Sequence, residues 1–241
     1  MTETTVQEPK PAFRKRYLDK TGQVAETAWG FHNSAISSYE KSFAHVLMGK
    51  SMSSLIQGRG APVVIDLMAP PATVHELLEG SPKGKGLSVS LPDHSLQNTP
   101  KQIQDAYSAS HITWLPEDIT KPSTWKHITD WLGTQKADLV IERAMGALSS
   151  DWIPRKKLLL SALSAQAWNM VNPNGGTLLA EVPEKDELAQ MGIDLQKWVD
   201  DLQKKGLDII YDQGDHDNPY PVFNTGKVRI TKTPDSPRIF S

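Results

Sequence analysis

Between 24 and 55, large side chains recur at three- and four-residue intervals. Trp29, His32, Ile36, Tyr39, Phe43 and Val46 fall on one face of a helix. Gly30 and Gly49 soften or interrupt that helix, and Gln57-Gly58-Arg59-Gly60 breaks it. The pattern then changes period. Val63-Val64-Ile65-Asp66-Leu67 is an apolar, β-branched run with one acid, suited to a strand buried on both faces as in a parallel sheet. A tight turn leads from it into a helix at 74–78. Strands and helices alternate from there. Strands are expected at 86–91, 112–115, 137–142 and 177–182. Helices are expected at 99–108, along Trp125, Ile128 and Leu132, at 155–171 and at 194–205. Thr120 or Ser123 is the expected cap of the Trp125 helix, and Gly133 stops it. Asn172-Pro173-Asn174-Gly175-Gly176 is a strong turn. The last two strands, 207–211 and 227–233, have no helix between them, so they form an antiparallel pair at the end of the sheet.

This order predicts an α/β protein: a largely parallel, doubly wound sheet with right-handed crossovers and a helical N-terminal extension. Residues 1–22 read as a flexible polar tail, 23–58 as the helical extension or lid, and 59–241 as the α/β domain. In 241 residues with 38% hydrophobic and 22% charged side chains, a substantial core is available. The formal charge of −2 excludes a generally basic protein, and nucleic acid is not indicated. The short cluster Lys10, Arg14, Lys15, Arg16 reads as part of the solvated tail. No cysteine is present, which removes disulfides, thiol nucleophiles and thiolate metal sites. No apolar run reaches bilayer-spanning length, and the start MTETTVQEPK lacks the apolar core of a signal peptide. A cytoplasmic protein with no membrane partner is therefore the expectation.

Chemistry is concentrated at the strand ends. An acid closing the first strand, Asp66, lies at the edge where α/β sheets hold ligands. Glu142 and Arg143 leave the fourth strand at the same edge. They could orient a polar substrate, with Glu142 as a proton acceptor, or pair with surface groups. The aromatic stripe has two readings as well. It packs on the sheet, or it roofs a pocket in which Trp29, His32 or Tyr39 meets substrate. The acidic run DQGDHD at 212–217 matches no rigid metal site and reads as a solvated loop, so no metal is expected.

From about 61 to 233 the chain resembles the class I S-adenosylmethionine-dependent methyltransferases. Four stretches carry the likeness: VVIDLMAPPA, LSVSLPDHS, ITWLPEDIT, and ADLVIERAMGAL followed by VNPNGGTLLAEVP. The resemblance implies a Rossmann-like seven-stranded sheet, mostly parallel, whose C-terminal strand is antiparallel. It also implies a cofactor, S-adenosylmethionine, held by Asp66, Met68, Ala69, Pro70, Asp93, Asp118, Ile119 and Glu142. Asp66 would lie near the amino group of the cofactor, or organise the turn, or cap the following helix. Asp93 would take the ribose hydroxyls, with capping of the next turn as its alternative. Asp118 and Ile119 would flank the adenine, unless Asp118 caps the turn after it.

The sequence departs from the family at the first turn. Met68, Pro70 and Ala72 stand where glycines are usual, and proline has no N–H to donate. The expected activity is methyl transfer to a small or mid-sized acceptor, chemistry that depends chiefly on alignment. The alternative is a non-catalytic methyltransferase-like fold that binds a ligand or a partner, which the altered turn supports. A nicotinamide oxidoreductase is disfavoured by the same missing glycines and by the terminal strand pair.

Overall fold

Val63–Leu67 (β1) is the central strand, and every one of its five residues is buried. In the computed structural model, which describes residues 36–67, 71–90, 111–143, 153–183, 185–214 and 225–237, β1 pairs in parallel on both sides. Its neighbours are Lys85–Ser90 (β2) and Leu139–Glu142 (β4). Ile112–Pro116 (β3) extends the parallel sheet beyond β2, and Thr177–Val182 (β5) extends it beyond β4. Gly226–Thr231 (β7) lies antiparallel between β5 and Asp208–Asp212 (β6). The strand order is β3-β2-β1-β4-β5-β7-β6. The seven strands and the reversed last strand are as the sequence led one to expect. Without a crossover helix after β6, the chain can only turn back beside it.

Two helical layers cover the sheet. One holds Ile36–Ser42 (α1), Ala44–Leu47 (α2), the 3-10 turn Met52–Leu55 and Ala72–Leu78 (α3). Its buried residues Tyr39, Phe43, Val46, Leu47, Met52, Val74 and Leu77 share a cluster with Val64, Leu139, Ile141 and Leu179 of the sheet. The other layer holds Pro122–Leu132 (α4), Ile153–Met170 (α5), Lys185–Gln190 (α6) and Leu195–Lys204 (α7). There Ile128, Leu163, Trp168, Leu188, Val199 and Leu202 pack on Val63, Ile65, Leu67, Val140 and Leu178. The helical stretch thus shares its core with one face of the sheet.

Local chemistry explains where elements differ from their expected bounds. The stripe of 24–55 is broken where Met48 turns left-handed, with φ of 53°, and Gly49 follows at 76°. Ser51 then caps the 3-10 turn by accepting from the Ser54 N–H at 3.2 Å. Helix α4 has no side-chain cap. It opens on Pro122, whose fixed φ suits a first helical position, after Lys121 at the cap position. Thr120 is instead drawn to Asp118, and Ser123 does not cap. Helix α6 was not expected: it is six residues long, and Leu188 is its buried apolar residue. The 194–205 helix begins as expected, with Asp194 accepting from the Lys197 N–H at 3.0 Å. The expected helix 99–108 lies outside the described residues. At the edge away from the strand ends, Asp138 accepts from the Val63 N–H and from Asn172 Nδ2, both at 3.0 Å. This ties β1, β4 and the 172–176 turn in register.

Helix α3 approaches β2 so closely that a Cβ at Gly86 would lie 2.1 Å from Val74 Cγ1. Gly86→Ala should therefore lower stability by roughly 1–3 kcal/mol through overpacking, read as a lower denaturation midpoint. An unchanged midpoint would contradict that close approach.

Candidate functional site

Side chains alternate between the two faces of a strand. On β1 this puts Ile65 and Leu67 in one cluster and Val64 in the other, with Asp66 on the Val64 side. The same parity selects Arg143 just past β4, Glu181 on β5, Lys227 on β7 and Asp212 on β6. Read across β1-β4-β5-β7-β6, the strand ends beneath α1 and α2 carry charges that alternate in sign: Asp66, Arg143, Glu181, Lys227, Asp212.

The row is buried at its centre. Asp66, Arg143, Glu181 and Lys227 are each no more than 2% exposed, and Tyr39 of α1, fully buried, lies over them. Arg143 Nε donates to Glu181 Oε1 at 3.2 Å. Its guanidinium carbon stands 4.3 Å from the centre of the Tyr39 ring, a cation–π contact. Ser42 Oγ donates to the same Glu181 oxygen at 3.4 Å, and Glu181 and Lys227 face each other in register. Lys227 Nζ donates to the Thr225 carbonyl and hydroxyl, both at 2.6 Å. At the far end His45 Nδ1 is 3.8 Å from Asp212 Oδ2.

Asp66 differs from the rest of the row. Among the described residues, neither of its carboxyl oxygens closes a hydrogen bond of normal geometry. The Tyr39 hydroxyl faces both Asp66 and Thr73 without closing a hydrogen bond of normal length. Burial raises the Asp66 pKa to about 7. The Tyr39 hydroxyl and the Arg143 charge oppose the rise, and the Glu181 charge adds to it. Burial, then the Asp66 charge, also raise the Tyr39 phenol well above its ordinary range, so it stays neutral. Burial lowers the Lys227 ammonium. Ser88 sits opposite Asp66 on β2, and among the described residues its buried hydroxyl likewise closes no hydrogen bond. A carboxyl and a hydroxyl with unused hydrogen-bonding capacity thus stand side by side near the carboxyl end of the central strands. An unpaired buried polar group is costly, and a ligand that supplies donors relieves that cost.

Of the residues singled out from sequence, Asp66, Tyr39 and Arg143 meet here. Glu142 is fully buried but falls on the opposite face, with the parity of Val140. Asp118 stands on the other side of β1, after β3. Its Oδ1 accepts from the Thr120 N–H at 2.9 Å and from the Thr120 hydroxyl at 2.7 Å. Ile119 is 2% exposed and lies in the larger core cluster, while its carbonyl accepts from Trp125 Nε1 at 2.7 Å. Trp29, His32, Met68, Ala69, Pro70 and Asp93 lie outside the described residues. Sequence reasoning missed Glu181, Lys227, Ser88 and Thr73. The available signal was a charge inside an apolar strand, as in Leu178-Leu179-Ala180-Glu181-Val182.

The raised Asp66 pKa sets the sign of a stability profile. Its unfolded value is about 3.9, so the folded chain holds the proton more tightly between about pH 4 and 7. The stabilisation this gives is complete below that window and is lost as pH rises through it. Asp66→Asn should gain on the wild type by up to about 1.4 kcal/mol per pH unit across the window, measured by denaturant unfolding. A difference that does not change with pH would contradict this assignment.

No family model matches the sequence, and no curated protein matches it. Solved structures resemble the fold. The N-methyltransferase NodS from Bradyrhizobium japonicum WM9, in complex with S-adenosyl-L-homocysteine, is 13% identical with a TM-score of 0.43, over 90% of this chain and 97% of that one. A SAM-dependent O-methyltransferase from Thermotoga maritima is 11% identical with a TM-score of 0.45, over 83% and 67%. Precorrin-6y C5,15-methyltransferase from Geobacter metallireducens GS-15 is 11% identical with a TM-score of 0.47, over 84% and 92%. Each of these likenesses has a TM-score below 0.5, and the fold rests on the strand order itself. With β7 reversed between β5 and β6, the sheet is the Rossmann-like, seven-stranded one that the resemblance to the class I S-adenosylmethionine-dependent methyltransferases implies.

Proposed function

We propose that the chain binds S-adenosylmethionine at the carboxyl edge of β1 and transfers its methyl group to a small-molecule acceptor. The observation that carries this reading is Asp66. It is a buried carboxyl that closes no hydrogen bond of normal geometry with a described residue, placed just before the turn that follows β1. A ligand bearing an ammonium group supplies the donors that this carboxyl lacks and favours its charged form. The described residues therefore fit the amino-acid end of the cofactor.

The cofactor supplies an electrophilic methyl group on a sulfonium sulfur. The work left to the chain is to bind, to align and to exclude water. In this reading Asp66 holds the ammonium group, with Met68, Ala69 and Pro70 lining the turn beside it. Asp93 accepts from the ribose hydroxyls. Asp118, whose Oδ1 is committed to Thr120, offers Oδ2 to the adenine amino group next to Ile119. Glu142 closes the site from the opposite face of β4. Tyr39 with Arg143 forms the wall on the α1 side, and Trp29 and His32 remain the sequence's candidates to meet the acceptor.

A second reading is favoured by one observation. Pro71, buried at the cap position of α3 with φ of −62°, brings no N–H to the turn. A turn short of donors suits a fold that binds a ligand or a partner without catalysis.

Calorimetry with S-adenosylmethionine and S-adenosylhomocysteine tests the proposal. Micromolar binding, about −8 kcal/mol, is expected for the wild type. Asp66→Asn and Asp93→Ala should each weaken it roughly ten- to a hundredfold, the worth of a charged hydrogen bond. The ligand-free midpoint of Asp93→Ala should hold. No binding at millimolar cofactor would overturn the reading. Tight binding with no turnover across amine, hydroxyl and carbon acceptors would favour the second.

A further inference from the structure

We propose that Arg143 is the positioning residue that decides whether Asp66 is an anion, and hence whether the β1 edge accepts a cationic group or a neutral one. This rests on the reading of that edge as the cofactor site, and it adds the determinant of ligand charge.

Ser88 lies opposite Asp66 on β2, and the Arg143 N–H, just past β4, donates to the Leu67 carbonyl beside Asp66 at 3.5 Å. Tyr39 of α1 and Glu181 of β5 also act on the carboxyl, while Thr73 of α3 faces the Tyr39 hydroxyl. Among these described neighbours Arg143 is the cation. Its guanidinium does not lose its proton in proteins, so its contribution is a fixed charge whose effect depends on position. Two of its contacts with described residues set that position. The 3.2 Å bond to Glu181 holds Nε from one side, and the Tyr39 ring, 4.3 Å from the guanidinium carbon, fixes the plane from another. Lys227, the next cation of the row, pairs in register with Glu181 and so stands behind it as seen from Asp66.

Glu181 therefore acts on Asp66 in two opposing ways. It anchors the guanidinium that favours ionisation, and its own charge disfavours ionisation. With Arg143 in place Asp66 can be an anion near neutral pH, and an anion receives an ammonium group. Without that charge the buried carboxyl keeps its proton, becomes a donor, and selects neutral acceptor groups instead.

The test is a carboxyl titration followed by carbon-13 NMR on the full, ligand-free chain labelled at the aspartate carboxyl carbon. The Asp66 signal is assigned by its loss in Asp66→Asn. Arg143→Met should move the Asp66 midpoint up by about one pH unit or more. Arg143→Lys, which keeps the charge, should stay within about half a unit of wild type. Glu181→Gln should move the midpoint down. A merely structural Arg143 would leave the midpoint alone or move it as far in the lysine variant as in the methionine variant, and either result overturns the proposal. If Arg143→Met fails to fold, Arg143→Gln, which removes the charge but keeps a donor toward Glu181, decides: an unchanged midpoint overturns it.

A second arm follows S-adenosylhomocysteine affinity from pH 6 to 8. The gain as Asp66 ionises, about tenfold in wild type, should shift to higher pH in Arg143→Met. Carboxyl midpoints that shift as expected, with no binding in any variant, would sink the cofactor reading and leave the role of Arg143 standing.

Discussion

The guanidinium of Arg143, held by the Tyr39 ring and Glu181, is the constraint on which the ligand edge depends. Charges taken out of water lose several kcal/mol of hydration each, and close pairing restores that only when geometry is good. The sheet supplies the geometry. Five strands in the order β1-β4-β5-β7-β6 end at one level and present alternating signs, so each inner charge has an opposite neighbour on each side. Removing one member of such a buried pair strands the other, a loss on the order of 3–5 kcal/mol. The row therefore fixes arrangement more than it adds stability. At its β1 end it leaves a carboxyl whose hydrogen-bonding capacity is unused.

The same contacts join the helical stretch to the sheet. Tyr39 and Phe43 bury their rings in the cluster that contains Val64 and Ile141, while Ser42 reaches Glu181. A change in the charge of the row is thus felt by α1 directly, through the ring that stacks on Arg143. That link bears on both functional readings, because a ligand at Asp66 and a partner docking on α1 would act on one set of buried groups.

Much of the fold was legible because it follows from short-range pattern. The β-branched run of β1, the alternation after it and the missing helix before β7 each have a local cause. The charge row has none. Arg143 and Glu181 lie 38 positions apart, and only the sheet order brings them together. Adjacent residues mislead in the opposite direction: Glu142 and Arg143 look like one functional pair, yet the two-residue period of a strand sends them to opposite faces. Tyr39 was visible as a candidate from its stripe, but its partners were not. Asp118 was readable two ways, and a short Asx turn with Thr120 uses one of its oxygens. Parity counting along β5 and β7 would have found Glu181 and Lys227, because both interrupt apolar strands on the face that carries Asp66.

The central claim is that the buried carboxyl of Asp66 receives the ammonium group of the cofactor. Crystals grown with S-adenosylhomocysteine test it most directly. The account predicts density at the carboxyl edge of β1 with the ligand ammonium about 2.7–3.0 Å from an Asp66 oxygen and Arg143 still stacked on Tyr39. Ligand density elsewhere on the chain, or a ligand at this edge whose ammonium group turns away from Asp66, would contradict it.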